Sequence, residues 1–506
     1  MNSSTLPSTF VSESYGVGSR LSKSPSPELE DFFNRVYLDG FDEKAFSLSI
    51  WVNFAHVVML SEEKIIPQEA ASSIIKVLLE LEASGKDAIQ FSPHIGDSLP
   101  NMENYVIGKL GDSVGGMLHT GRSRGDYYAT LSRLKLRTEV LTLMGSINSL
   151  RQTLLEIANS HIGTVMPGYT HLQHAQPITL AHYLLATIQG LERDLERARE
   201  AYPRLNRSPL GLGIVSGTSY AVNRERTAEL MAFDGLVRNS RDLGDRDYIL
   251  EIANISATTM IHGHKLATDL YEWSTAEFRI AQVDDSDAMT SSMMPQKANP
   301  VLLEDFRART GFVIGYLTSC YAVLKGSPAN NIEISSGDKP GLAAVREASD
   351  ALIRFSKSLP RIVFDESRMH DLAAAHWSQA TEVADALVRD TSLSFREAHR
   401  VVGKLVSTAI ARRSSPAECT INDLEEAAAA VLPNPPDMSM ISLSDALDVR
   451  LGVERRQGIG GPSSNSVAVE LESAQASWEA DAAWLKAETD GIAKSHATMV
   501  ELAKLF

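Results

Sequence analysis

Cysteine is almost absent from this chain: two residues, Cys320 and Cys419, in 506. Neither belongs to a CxxC pair, so a disulfide scaffold is excluded and no zinc spacing exists. An excess of basic charge is absent too. Lys and Arg number 48 against 64 Asp and Glu, a formal net charge of -16, which argues against a nucleic-acid surface built from clustered cations. No run of 18 apolar residues occurs, so no membrane span is expected. The opening "MNSSTLPSTFVSESYG" has no basic stretch leading into an apolar one. No secretory signal is therefore expected, and a reducing cytoplasm is the expected location. Residues 1–25 are rich in Ser and Pro and read as a poorly ordered arm. Alternating, strand-like runs are scarce.

What is abundant is helical pattern. Leu134, Leu141, Met144, Ile147, Leu150, Leu154 and Ile157 fall at steps of three, four or seven, an amphipathic stripe over many turns. Similar patterns run through 180–202, 247–278 and 304–326. The expectation is an all-α protein whose centre is a bundle of unusually long helices. Past about residue 365 the helices shorten. The expected division is an arm at 1–25, an N-terminal helical domain at 26–118, a central bundle at 119–365 and a C-terminal helical domain at 366–506.

Three irregular segments interrupt the helical pattern: "HTGRSRGDYYAT" (119–130), "MPGYTHLQHAQPIT" (166–179) and "TSSMMPQKANP" (290–300). The third makes a poor strand and a worse helix. Pro295 and Pro300 remove backbone donors, and its methionines follow no period. Other features weigh little. His262 and His264 are two apart and diverge on a helix, so they make no metal pair. "GVGS" and "GLG" follow no predicted strand, which argues against nucleotide binding.

The three segments resemble the signature regions of the fumarase/aspartase superfamily, most closely those of argininosuccinate lyase: HTGRSRNDQxAT, MPGYTHLQxAQP and GSSxMPQKxNP. "RDYILE" (246–251), "SQATEVADALV" (378–388), "FREAHRVVGK" (395–404) and "GGPSSNSV" (460–467) echo the same family. The resemblance implies a homotetramer whose central helices join in a shared core of about 20. Each active site would combine the three segments from three subunits. The implied reaction is β-elimination of an amine from an N-substituted succinate, a small dicarboxylate, releasing fumarate with no metal or organic cofactor.

Such a reaction removes a weakly acidic proton beside a carboxylate and needs preorganised donors around the developing charge. By the resemblance, Ser291 is the base. The prolines of its loop would aim backbone N–H groups at the serine oxygen. Lys297 and Asn299 would hold substrate carboxylates, and the loop would close over substrate. His171 matches the acid or charge-positioning group, and Glu304 the glutamate that orients it. Ser123, Arg124, Thr170, Met294, Tyr127 and Lys339 complete the implied substrate shell. Arg122 and Asp126 read as a structural cluster, Asn104 as structural and near the site, and Gln173 and His174 as interface packing.

The chain departs from the family together on one side of the reaction. Gly125 stands for an asparagine, Tyr127 for a glutamine, Thr290 for a glycine, and Asn101 for a histidine. Ala298 and Val301 replace a lysine and an aspartate, and Asn331 and Ser336 replace a tyrosine and a glutamine. The proton-abstracting residues are intact, whereas those gripping the amine are altered. Three readings stay open: a C–N lyase with another amine, argininosuccinate lyase with tolerated changes, or a non-catalytic structural protein on the same fold.

Overall fold

The computed structural model describes residues 23–326, 332 and 336–506. Residues 1–22 of the expected arm, and Asn331, lie outside the described residues. Helix α1 (Glu43–Glu62) starts where the Asp42 carboxylate accepts the Ala45 N–H at 2.8 Å, an N-cap that satisfies an orphan donor. It is apolar all round and buried without a break from Ser49 to Leu60. Its length and hydropathy match a membrane span, yet 78% of that window is buried inside the protein. It is a core helix. Helices α2 (Gln68–Ser84) and α3 (Ser98–Leu110) wrap it, burying Phe46, Phe54, Leu78 and Met102 in one cluster.

Five long helices form the central bundle: α4 (Arg124–Ser160), α5 (Leu180–Leu205), α6 (Asp247–Trp273), α7 (Val301–Leu324) and α8 (Asp338–Ser358). Periodic apolar residues of α4 are fully buried: Met144, Ile147, Leu150 and Leu154 in the bundle core, and Leu134 in the N-terminal core. Gly263 of α6 lets α7 come close, since a Cβ there would lie 2.6 Å from the Phe306 ring. Only a narrow stripe of α7 is buried in the single chain, from Leu303, Phe306, Thr310, Val313 and Cys320, and apolar residues stay uncovered on both sides of it. Phe312, Ile314 and Tyr321 are 60%, 41% and 52% exposed, an unusual apolar load for a surface helix.

Shorter helices α9 (Ala380–Asp390), α10 (Phe395–Arg412) and α11 (Ile421–Val431) pack around Val383, Leu387, Val401 and Leu424. The last helix, α12 (Ser464–Lys504), was expected to join them. It instead runs back along the molecule, placing Leu471 and Ala474 in the bundle core and Met499 and Ala503 in the N-terminal core. The buried Arg151 of α4 fastens it by donating to Asp481 at 2.6 Å, and the Trp478 indole donates to the Asn148 carbonyl at 3.0 Å.

Two of the expected irregular segments contain hairpins. Strands β1 (Val165–Thr170) and β2 (Gln173–Thr179) pair antiparallel, as do β3 (Met289–Thr290) and β4 (Ala298–Asn299). The first turn places His171 and Leu172 at φ 56° and 55°, a left-handed pair that favours Gly and Asn. Neither stands there, so the usual turn signal is missing. Pro167 faces Pro177 across the ladder, and the register slips between Pro167 and Tyr169. Gly168 sits at that slip, and a Cβ on it would lie 2.5 Å from the Gln176 carbonyl oxygen.

Candidate active site

The first segment enters α4. The Ser123 Oγ accepts the N–H groups of Gly125 and Asp126 at 3.1 and 3.3 Å and donates to the Gly213 carbonyl at 2.8 Å. Its one proton is therefore spent inside the chain, and its evident work is to cap the helix that carries Arg124. Asp126 completes the capping box by accepting the Ser123 N–H at 2.9 Å, and its second oxygen accepts the Gly211 and Gly213 N–H groups at 3.1 and 2.8 Å. Burial pushes its carboxyl up to about 6, against the pull of those donors. Arg122 is also buried and donates to the Asn53 side-chain oxygen at 2.7 Å. Both residues are structural. Asp126→Ala strands three buried N–H groups, so we expect a loss of at least about 2 kcal/mol. A calorimetric melting temperature within one or two degrees of the parent, by about the usual conversion, would contradict this.

Tyr127 is corrected. It was expected against the substrate, but it is fully buried. Its phenol hydrogen-bonds Ser49, and Arg122 stacks over its ring at 5.3 Å. Burial pushes that phenol up to about 12. The neighbouring Tyr128 takes the outward position, donating to Asp97 at 2.5 Å. Asn101 is likewise a clamp within the fold. Its side chain accepts the Ser92 N–H at 2.8 Å and donates to the Asp97 carbonyl at 2.7 Å.

Arg124, Gly125 and Lys339 line one cavity of about 520 Å³ between α4 and the N-terminal helices. Arg124 pairs with Asp97, and the Lys339 Nζ lies 4.9 Å over the Tyr37 ring. Tyr128, Lys135 and Arg246 also line it, and sequence reasoning did not single them out for the site. The signal was there in part: Gly125, Tyr128, Ser132 and Lys135 fall at helical spacing on one face of α4.

The other two segments project elsewhere. Thr170 and His171 sit exposed at the β1–β2 tip, beside a cleft of about 910 Å³ lined by Tyr169, Trp273 and Phe278. His174 packs its ring on His376 at 4.5 Å. Ser291 follows β3, and its N–H donates to the Lys297 carbonyl at 3.3 Å, closing the loop. Its Oγ accepts the N–H groups of Met293 and Met294 at 3.3 and 3.0 Å. Two donors thus already face the oxygen where an alkoxide charge would form. Lys297 and Met294 are exposed on that loop, Asn299 is half-buried at its foot, and Glu304 lies in the first turn of α7. Among the described residues of one chain, no recorded ion pair joins His171 to Glu304, and no recorded hydrogen bond joins the three segments. No His/Cys/Asp/Glu cluster suited to a metal occurs among the described residues.

The Lyase family matches residues 38–315, and the argininosuccinate lyase C-terminal family matches 377–454. Argininosuccinate lyase of Methanococcoides burtonii is 37% identical over 461 residues, covering 90% of this chain and 91% of that protein. Its counterpart in Geobacillus thermodenitrificans is 39% identical over 447 residues, covering 88% and 95%. A crystal structure of EDDS lyase in complex with formate superposes with a TM-score of 0.82 at 31% identity, covering 96% of both chains. Fumarate lyase from Mesorhizobium sp. BNC1, with a TM-score of 0.68 at 20% identity over 87% and 98% of the chains, shares the fold.

Proposed function

Because this chain belongs to the argininosuccinate lyase family of carbon–nitrogen lyases, we propose that it releases fumarate from an N-substituted aspartate whose amine is not arginine. The observation that carries the elimination is the Ser291 oxygen, already held by two backbone N–H groups. As an alkoxide it takes the proton from the carbon beside one carboxylate. The electron pair left behind forms the fumarate double bond as the C–N bond breaks, and the departing nitrogen is protonated, with His171 the acid. Lys297 and Asn299 hold the carboxylates as charge moves onto them.

The segments come together by assembly. Ser291, half-buried, and His171, exposed, stand on separate hairpins, and α7 presents the uncovered Phe312, Ile314 and Tyr321. A homotetramer that packs neighbours on both sides of α7 buries these residues and brings one chain's hairpin to another's cavity. Sedimentation at micromolar concentration that gives a monomer would defeat this part.

The choice of amine rests on replaced residues. Gly125 offers no side-chain amide to the cavity, and Val301 and Ser336 stand where the family has an aspartate and a glutamine. Each lost buried hydrogen bond to a guanidinium costs roughly 1–3 kcal/mol, so two or three losses lower kcat/KM by hundreds. The test is fumarate release, followed by ultraviolet absorbance, from argininosuccinate, EDDS and a panel of N-alkyl and N-carboxyalkyl aspartates. Cleavage of argininosuccinate at about 10⁴ M⁻¹s⁻¹ or above would favour an ordinary argininosuccinate lyase instead.

A further inference from the structure

The cavity beside Arg124 has a charge pattern that selects its occupant. Among the described residues, four cations and two carboxylates line it: Arg124, Lys135, Arg246 and Lys339 against Asp97 and Asp338. Both carboxylates are already taken. Asp97 pairs with Arg124 and also accepts from Tyr128, and Asp338 pairs with the buried Arg246. Two ammonium groups are left over. Lys339 rests on the Tyr37 ring. Lys135 has no recorded hydrogen bond or ion pair among the described residues, although it is partly buried. Burial lowers its pKa, and Asp42 and Asp338 oppose that at a distance. Asp42 itself is occupied as the cap of α1.

Among the described residues, a guanidinium entering this space finds no carboxylate free to receive it. A carboxylate finds two ammonium groups. Much of the rest of the wall is apolar and aromatic, from Phe33, Val36, Tyr37, Phe41, Leu131 and Leu342, beside the hydroxyls of Ser98 and Ser132. Such a wall gains from burying a ring or branched alkyl group, at about 25 cal/mol per Å². Resting on the lyase reading above, we infer that this cavity holds the substituent of the leaving amine, and that the substituent joins a carboxylate, met by Lys135, to an aromatic or bulky apolar group. The substrate class is then the N-(1,2-dicarboxyethyl) derivative of a hydrophobic amino acid. Lys135 is its specificity-determining residue, about three turns of α4 beyond Arg124 on the same wall.

The test is calorimetric titration of the full-length Ser291→Ala protein, in which binding is read without turnover. The ligands are N-(1,2-dicarboxyethyl)phenylalanine, its decarboxylated analogue N-(2-phenylethyl)aspartate, and argininosuccinate. We expect the carboxylated aromatic ligand to bind at least about tenfold tighter than either of the others. Adding Lys135→Met should shrink its advantage over the decarboxylated analogue to within about threefold, and Lys135→Arg should restore it, since charge rather than shape carries it. Equal affinities for the first two ligands, tighter binding of argininosuccinate, a parallel loss for both aromatic ligands in Lys135→Met, or no measurable binding would each overturn the inference. Fumarate release by the wild-type chain is scored separately. A preference in binding with no release from any of the three would leave the cavity assignment standing and remove the lyase reading.

Discussion

Ser291→Ala should lower kcat by at least two to three orders of magnitude while KM changes little. The size of the effect separates two roles that the same geometry allows. Oγ accepts the N–H groups of Met293 and Met294, which is also how a serine simply closes a turn. If turn closure were its whole role, alanine would cost the loop about 0.5–1.5 kcal/mol per hydrogen bond, and the substrate would still meet Lys297 and Asn299. As the base, its loss removes the atom that accepts the proton. Of the other polar groups on the loop, Lys297 is a cation and Gln296 and Asn299 are amides, and of the loop's two serines Ser291 is the one whose oxygen accepts the Met293 and Met294 N–H groups. Lys297→Met should behave differently, raising KM and lowering kcat together, because it strips charge from a bound carboxylate. The measurement is steady-state fumarate release by both variants with one good substrate. A Ser291→Ala enzyme that keeps more than about a tenth of kcat, a deficit under 1.4 kcal/mol, refutes the assignment.

The long helices were legible in the sequence because their stripes are continuous. Leu134 to Leu154 mark the buried face of α4 by spacing alone. The hairpins were not, for local reasons. The β1–β2 turn uses His171 and Leu172 at positive φ, and β3 and β4 have two residues each, too few for a visible alternation. The position of α12 was hidden too. Its fastening is made by Arg151, Asp481 and Trp478 across 330 residues of sequence, and no local pattern encodes a partner that distant. The site divides along the same line. The motif residues were readable one by one, but which neighbour faces outward depends on helical phase. Tyr127 and Tyr128 are adjacent and chemically alike, and only the second reaches the cavity. Lys135 fell outside every motif, and three turns of α4 carry it to the same wall as Arg124.

Helical phase orders residues only within one chain, whereas subunit mixing reports on residues brought together from several. Ser291→Ala and His171→Asn should each be nearly inactive alone. Unfolded together in equal amounts and reassembled, they should regain activity. The expected level follows from counting. If a site takes its serine from one subunit and its histidine from another, the serine donor must be the His171→Asn chain and the histidine donor the Ser291→Ala chain. Random assembly satisfies each condition half the time, so about one quarter of the sites are intact, as the symmetry of a closed oligomer requires. If instead both residues served a site from the same chain, every site would carry one lesion and mixing would restore nothing. The two outcomes differ by roughly 25- to 250-fold in rate, a quarter of the two to three orders of magnitude lost by each single variant. The observation behind the first outcome is the placement of Ser291 and His171 on separate exposed hairpins that no recorded hydrogen bond joins within the described chain. Refolding the wild-type chain in parallel gives the yield against which the quarter is measured. Recovery below a few per cent of that control, about the residual activity of the single variants, would place both groups on one chain and require His171 to reach Ser291 by a movement of the hairpins instead.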